Sequence, residues 1–191
     1  MNIGLENDAR KKRPRTSQPG RSVKKKMDKK NTRITIQEFV NVTRPMIGLP
    51  LNHAWRGHHS AIFLEIGTLK KEKNRNHPCG KFSVMLDCSW RIESKKSIAI
   101  GSSASYDRIE RQLDKLVGHS VTDVALFTAL PEIVISFDSD VKVLSFETSD
   151  KQPSWSLCLP DGQWICSHSG KLIKEITEHP LASRRPKDGR A

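Results

Sequence analysis

The chain has 191 residues, of which 36% are hydrophobic and 28% charged, and its formal net charge is +12. This length suits one domain with a sizeable core, and no apolar run reaches the roughly 18 residues that a membrane-spanning helix needs. The N-terminus has no apolar stretch of the secretory type. We therefore expect a cytoplasmic protein, nuclear if its source is eukaryotic, with reduced cysteines.

Positive charge is concentrated at the two ends of the chain. Residues 1–33 carry twelve Lys and Arg against three acids, residues 171–191 carry six against three, and the stretch between them is neutral. The first of these segments, called the basic arm below, has too few apolar residues to fold by itself, which predicts disorder. Nine of its cations are candidate nucleic-acid contacts, namely Lys11, Lys12, Arg13, Arg15, Lys24, Lys25, Lys26, Lys29 and Lys30.

Flexible cations release counterions from phosphates, which predicts a salt-sensitive binding of nucleic acid without sequence preference. The same clusters are also typical of a two-part nuclear-import signal, or of a segment that only raises solubility. No aromatic residue interrupts the basic run, which argues against base stacking by the arm itself.

Two helices are predicted. In the first, Thr35 and Glu38 have the spacing of a capping box, and Pro45 ends the helical pattern. In the second, Ser105 precedes apolar residues at helical spacing, and Gly118 stands where a left-handed residue commonly closes a helix.

Short runs of β-branched and aromatic residues predict strands after each helix. They lie at residues 62–66, 82–86, 90–92, 133–137, 141–146 and 155–157. Pro160, Asp161 and Gly162 then form a turn between two further apolar runs, which is typical of a hairpin.

The order of these elements occurs twice. Residues 46–54 parallel 116–124 at an offset of 70, and residues 62–66 parallel 133–137 at an offset of 71. Each half then reaches a tryptophan in a strand-like segment. The pattern predicts two related halves, 35–103 and 105–170, each too small to close a core alone.

These elements favour a single α+β domain over residues 34–175, a mostly antiparallel sheet with one or two helices. The basic arm at 1–33 precedes it, and a flexible basic tail at 176–191 follows.

No catalytic motif is present, and we predict no catalytic residue, no metal site and no cofactor. His77 and Cys79 form the best metal candidate, but the paired, tightly spaced ligands that zinc prefers are missing. His58 and His59 are similar to the histidine pair of metal-dependent nucleases, without its downstream residues. Glu65 lies within an apolar strand, and strand alternation predicts that it faces solvent.

The tryptophans divide into two groups. Trp55 and Arg56 are predicted to lie in a histidine-rich loop before a strand, where an exposed Trp and Arg are typical of a contact hot spot. With His58 and His59 they are the predicted partner-binding surface. The other three, in strand patterns, are predicted core residues: Trp90, Trp155 and Trp164.

The second half resembles a known type of domain. Leu116-Val117-Gly118 leads through residues 133–137 to Trp155-Ser156-Leu157 and the Asp161-Gly162 turn. Over residues 46–175 this pattern is similar to small uncharacterised bacterial domains of the toxin-immunity or accessory type. The resemblance implies a protein-binding module, and it assigns no functional residue.

Three functions follow from these observations. The favoured one is a non-enzymatic binding protein whose basic arm contacts nucleic acid or another acidic partner. The alternative is a specific protein-binding module of the immunity or accessory type. A metal-dependent nuclease that uses His58 and His59 is the third.

Overall fold

A computed structural model describes residues 30–176 of the chain except positions 74, 88 and 151, together with the side chains of 31–175 in that range. Two α-helices, α1 (Ile36–Thr43) and α2 (Tyr106–Leu116), are accompanied by 3-10 turns at Arg44–Met46 and Asp138–Asp140. The strands are β1 (Lys30–Arg33), β2 (Leu51–Arg56), β3 (Ile62–Ile66), β4 (Phe82–Leu86), β5 (Trp90–Ser94), β6 (Ser97–Gly101), β7 (Val121–Leu126), β8 (Ile133–Phe137), β9 (Val141–Ser145), β10 (Trp155–Cys158), β11 (Trp164–His168) and β12 (Lys171–Ile176). Within the described ranges, no helix is long and apolar enough to cross a membrane.

The strands form two sheets in which every pairing is antiparallel. The seven-stranded sheet has the order β1-β12-β11-β10-β4-β3-β2, and the five-stranded sheet has the order β6-β5-β9-β8-β7. The predicted class, a mostly antiparallel α+β fold with two short helices, is confirmed. The expectation of one sheet is replaced by two.

One continuous core holds both sheets and both helices together. It contains Phe39 of α1, Leu113 of α2, Leu64 of β3 and Ile135 of β8, all at most 1% exposed. Alternation along each strand supplies these residues, since every second side chain points to the same face. Burying about thirty large apolar side chains in this way is the main contribution to stability.

The chain passes from one sheet to the other twice, each time after three consecutive strands. After β2, β3 and β4 it enters the other sheet, where β5 pairs with β9. After β7, β8 and β9 it returns, and β10 pairs with β4. The turns after the two helices also bond to each other, because the Gly48 N–H donates to the Val121 carbonyl and the Gly118 N–H to the Leu51 carbonyl, both at 2.8 Å.

The predicted helix starts are confirmed. Thr35 caps α1 as half of a capping box. Its hydroxyl accepts from the Glu38 N–H at 3.1 Å, and the Glu38 carboxylate accepts from the Thr35 N–H at 2.7 Å. Ser105 caps α2 without a side-chain hydrogen bond. Gly118 has the expected positive φ, +96°.

This difference between the two caps gives a matched test. Thr35→Ala removes a hydrogen-bonded cap and is expected to lower the free energy of unfolding by about 1 kcal/mol. Ser105→Ala removes a hydroxyl with no capping bond and is expected to cost clearly less. Urea unfolding of the two variants measures both losses of stability. Equal losses would contradict the finding that Thr35 caps its helix with a side-chain hydrogen bond and Ser105 does not.

The ends of the domain differ from the sequence-based boundaries. Strand β1 starts at Lys30 and pairs with β12, so the last four residues assigned to the basic arm belong to the sheet. At the other end β12 continues to Ile176. The predicted disorder of the arm, the candidate contacts from Lys11 to Lys29 and the C-terminal tail lie outside the described residues, as does the side chain of Lys30.

Candidate functional site: an aromatic cleft on the seven-stranded sheet

The outer face of the seven-stranded sheet carries a polar and aromatic row rather than a solvated surface. In β3 the side chains of Ile62, Leu64 and Ile66 are buried in the core, whereas Phe63 and Glu65 point to the opposite face. In the connection from β3 to β4, a bridge between Lys70 and Cys79 joins the two arms of the loop, and the Gly80 N–H bonds the loop to Glu65 of the sheet. This long loop forms one wall of a cleft.

The cleft has a volume of about 840 Å³, within the range of ligand-binding sites. The sheet, the β3–β4 loop, the β2–β3 turn and the start of α2 all contribute to it. Its lining residues are Trp55, Arg56, Gly57, His58, His59, Phe63, Glu65, Arg75, Asn76, His77, Cys79, Ser83, Tyr106 and Trp164.

A stack of rings holds the loop against the sheet. The Trp55 indole lies between Phe63, 3.9 Å away and nearly parallel, and His77, 4.2 Å away and also parallel. His77 further contacts His53, and the two imidazoles share a hydrogen bond of 3.1 Å between Nδ1 and Nε2. Both faces of Trp55 are therefore covered by neighbours, and the indole acts as the anchor of the loop.

Glu65 lies beneath this stack, and the prediction that it faces solvent is wrong. It is 2% exposed, and its carboxylate accepts three hydrogen bonds. The donors are the Gly80 N–H at 2.7 Å, the Ser83 hydroxyl at 3.0 Å and the Trp55 indole N–H at 3.3 Å. A buried carboxylate is tolerated when donors of this kind replace water. Glu65 therefore joins the sheet, the indole and the loop.

Two arginines line the cleft, and each is held in place. The Arg56 guanidinium lies 4.1 Å over the Tyr106 ring and pairs with Glu110 at 3.3 Å. Arg75 pairs with Glu72 at 2.9 Å, and its Nη1 contacts the Cys79 sulfur at 2.9 Å. Each guanidinium is therefore paired with a glutamate that does not itself line the cleft.

Cys158, which pairs with Trp164 in the hairpin of β10 and β11, is a poor nucleophile. Burial raises the pKa of the Cys158 thiol to about 11, even though the Arg75 guanidinium acts in the opposite direction. At neutral pH this thiol remains protonated, and a thiolate is the form that attacks substrates. Nucleophilic catalysis by Cys158 is not supported.

The imidazole pair predicts a loss of stability on acidification. Burial, and then His77, lower the pKa of His53, whereas Glu65 and Asp114 act to raise it. The unfolded chain takes up this proton near the ordinary pKa of 6.5. The contribution of His53 to the free energy of unfolding is therefore present above that pH, and it is lost as the pH falls through the lowered pKa of the folded protein.

Thermal unfolding at about pH 7.5 and about pH 5.5 checks this expectation. The melting temperature of the wild type should fall more between the two values than that of His53→Asn, because the variant has no imidazole at this position. Equal falls in the two proteins would contradict it.

The predicted partner-binding residues all line this cleft. Trp55 and Arg56 lie inside β2, not in a loop as predicted, and His58 and His59 occupy the exposed turn that follows. Trp90 and Trp155 are core residues as expected, with 2% and 0% exposure. The core assignment of Trp164 is wrong, since it is half-buried and lines the cleft.

Sequence reasoning did not assign several other lining residues to the site, among them Phe63, Glu65, Arg75 and Tyr106. Alternation in β3 places Phe63 and Glu65 on the same face of the sheet, and this pattern could have indicated that both line one site. Nothing in the sequence indicates that the loop containing Arg75 folds back, because that depends on contacts between segments far apart in the chain.

Neither a metal site nor a similar protein points to a function for the cleft. Among the residues that the structure describes, no three of His, Cys, Asp and Glu come together in a way that could hold a metal ion. Comparison with protein-family models, curated proteins and solved structures finds no match. The resemblance to immunity-type domains stays a prediction.

Proposed function

We propose that the protein is a non-enzymatic binding protein that contacts nucleic acid through the basic arm and through the cleft. One observation carries the proposal. Arg56 and Arg75 line the cleft, each paired with a glutamate outside the lining, whereas the one acid of the lining, Glu65, is buried with three donors. Such a surface attracts anions, and aromatic residues between the cations are typical of nucleic-acid sites.

The role of the arm is tested by the salt dependence of binding. Four cations of the arm, Lys11, Lys12, Arg13 and Arg15, are changed to Gln in the full-length protein. The slope of log affinity against log salt for a single-stranded oligonucleotide should then fall by up to about 3, since each phosphate contact contributes about 0.7.

A charge-matched control replaces four cations near the other end, Arg184, Arg185, Lys187 and Arg190, by Gln. Its slope should stay at the wild-type value. Equal slopes in all three proteins would contradict a role of the arm, and the absence of wild-type binding would contradict the proposed function.

A second candidate, the protein-binding module, is favoured by an apolar group on the five-stranded sheet. Phe127 and Leu130 are 40% and 46% exposed. Phe127 meets Phe146 edge to face at 6.0 Å, and the Arg91 guanidinium lies 4.6 Å from the Phe146 ring centroid. Aromatic and arginine side chains of this kind are common in interface hot spots. A protein captured equally by the wild type and by the arm variant, but not by Phe127→Asp, would establish this function.

We also propose that the domain consists of two related halves. Two pairs of hydrogen bonds support it. The turns at Gly48 and Gly118 donate to each other's following strand, as described above. The Trp90 indole donates to the Ser60 carbonyl at 2.6 Å, and the Trp155 indole donates to the Pro131 carbonyl at 2.7 Å. Ser60 and Pro131 each stand two residues before the second strand of their half.

In that arrangement most of the cleft lining belongs to the first half, and the second half contributes Tyr106 and Trp164. Ala125 and Ser136 stand where the first half has Trp55 and Glu65. The connection after β8 is the short turn Asp138–Asp140, in place of the long loop after β3. The loop and its anchoring residues therefore distinguish one half from the other. This difference supports a binding role for the cleft rather than a role in the shared fold.

A further inference from the structure

The cleft extends along the direction that crosses the strands. Its lining reaches from Trp55 in β2, through Phe63 in β3 and Ser83 in β4, to Trp164 in β11. In the sheet order, β2 and β11 are four steps apart. Adjacent strands are about 4.8 Å apart, so the floor is about 19 Å long. A ligand that fills it is extended.

An arginine and an aromatic ring mark each end of this floor. At the β2 end, Arg56 stacks on Tyr106, whose ring belongs to a residue that is 53% exposed. At the β11 end, Trp164 faces Cys158 across the hairpin, and Arg75 lies close enough to influence that thiol. Aromatic rings and guanidinium planes are the groups on which single-stranded bases stack.

The arginines retain donors for phosphate. Arg56 uses Nε for Glu110 and Nη1 for the carbonyls of Gly57 and His59. Arg75 uses Nε for Glu72 and Nη1 for the Cys79 sulfur. Among the described residues, neither Nη2 has a hydrogen-bond partner. A guanidinium fixed by other bonds, with donors to spare, suits recognition of phosphate oxygens.

On the basis of the proposed function, we infer that the cleft holds a single-stranded segment of nucleic acid. Bases contact the exposed ring of Tyr106 and the half-buried ring of Trp164, and phosphates contact Arg56 and Arg75. A duplex does not fit this role because its base faces are covered by stacking. A free nucleotide has the same chemistry, but the stacking interval of a strand is only about 3.4 Å, and the floor is several times longer.

The test is a titration of full-length protein with a labelled oligouridylate of about six nucleotides, followed by fluorescence anisotropy. Arg75→Gln and Trp164→Leu should each weaken binding by about tenfold, within the range expected for loss of one stacked base. Arg108→Gln is the matched control, because Arg108 is exposed on α2 and does not line the cleft. Arg75 is 54% exposed, so its replacement leaves the core intact.

Competition experiments distinguish a single strand from a free nucleotide, from phosphate alone and from a duplex. Unlabelled oligouridylate should displace the probe at a much lower nucleotide concentration than uridine monophosphate, polyphosphate or a blunt duplex. Equal displacement by any of the three would overturn the single-strand inference. Wild-type affinity in both cleft variants, together with weak binding by the arm variant, would overturn it and leave only the proposed contact through the basic arm standing. No binding by the wild type would overturn both.

Discussion

Replacing Trp155 by alanine is expected to lower the free energy of unfolding by about 4 kcal/mol. The indole is fully buried, with 0% exposure, and meets Phe39 edge to face at 5.9 Å. Its N–H donates to the Pro131 carbonyl at 2.7 Å, so the substitution also leaves a buried acceptor without its donor. A domain is typically stable by about 5–15 kcal/mol, so this loss is a large fraction of the total stability.

Urea unfolding followed by circular dichroism measures this loss. Trp164→Ala is the matched control, since it removes the same side chain from a half-buried position at the cleft. We expect the control to lose less than half as much stability. Trp90→Ala should behave like Trp155→Ala, because Trp90 is 2% exposed and its indole also donates to a carbonyl. A control as unstable as Trp155→Ala would contradict the assigned core.

Replacing Glu65 by alanine is expected to cost about 3 kcal/mol and to loosen the loop over the cleft. The Gly80 N–H, the Ser83 hydroxyl and the Trp55 N–H all lose their acceptor. Each unsatisfied buried donor costs about 1–3 kcal/mol, and water entering the widened cleft recovers part of this. Unfolding in urea measures the cost, and faster hydrogen exchange at Gly80 reports the loosened loop. A change of stability below about 1 kcal/mol would contradict the bonding role of Glu65.

Gly80→Ala tests the contact between the β3–β4 loop and the sheet by changing the loop. A Cβ at this position would lie 2.5 Å from the Ile66 nitrogen and 2.7 Å from the Phe82 oxygen, and backbone atoms cannot move aside cheaply. We expect a loss of about 2–3 kcal/mol, comparable to overpacking in a core. Gly101→Ala is the matched control, since its nearest contact would be an ordinary 3.7 Å. Equal stability of the two variants would contradict the close approach.

The strands and helices of this fold could be predicted because local patterns determine them. The capping box of Thr35 and Glu38, the helix after Ser105 and the hairpin turn at Gly162 each depend on residues close in sequence. Strand β12 was not predicted, because its residues Lys171–Ile176 were counted with the charged C-terminal end. Strand β6, which follows two lysines, was missed for a similar reason.

The cleft could be predicted only in part. Trp55 and Arg56 stood out by residue type, and they do line it. The burial of Glu65 depends on a loop that folds back over the outer face of the sheet, so alternation alone gave the wrong environment. Tyr106 and Trp164 reach the cleft from elements more than 40 residues away in the chain, and pairings of that kind follow from tertiary structure.

Mapping the contact by photo-crosslinking tests the central claim most directly. Full-length protein is irradiated with a single-stranded oligonucleotide that contains 4-thiouridine, and the crosslinked peptides are identified by mass spectrometry. We expect crosslinks in the basic arm and in peptides that contain Tyr106 or Trp164. Crosslinks confined to the five-stranded sheet, or none above the level of an unrelated basic protein, would contradict the proposal that this cleft binds nucleic acid.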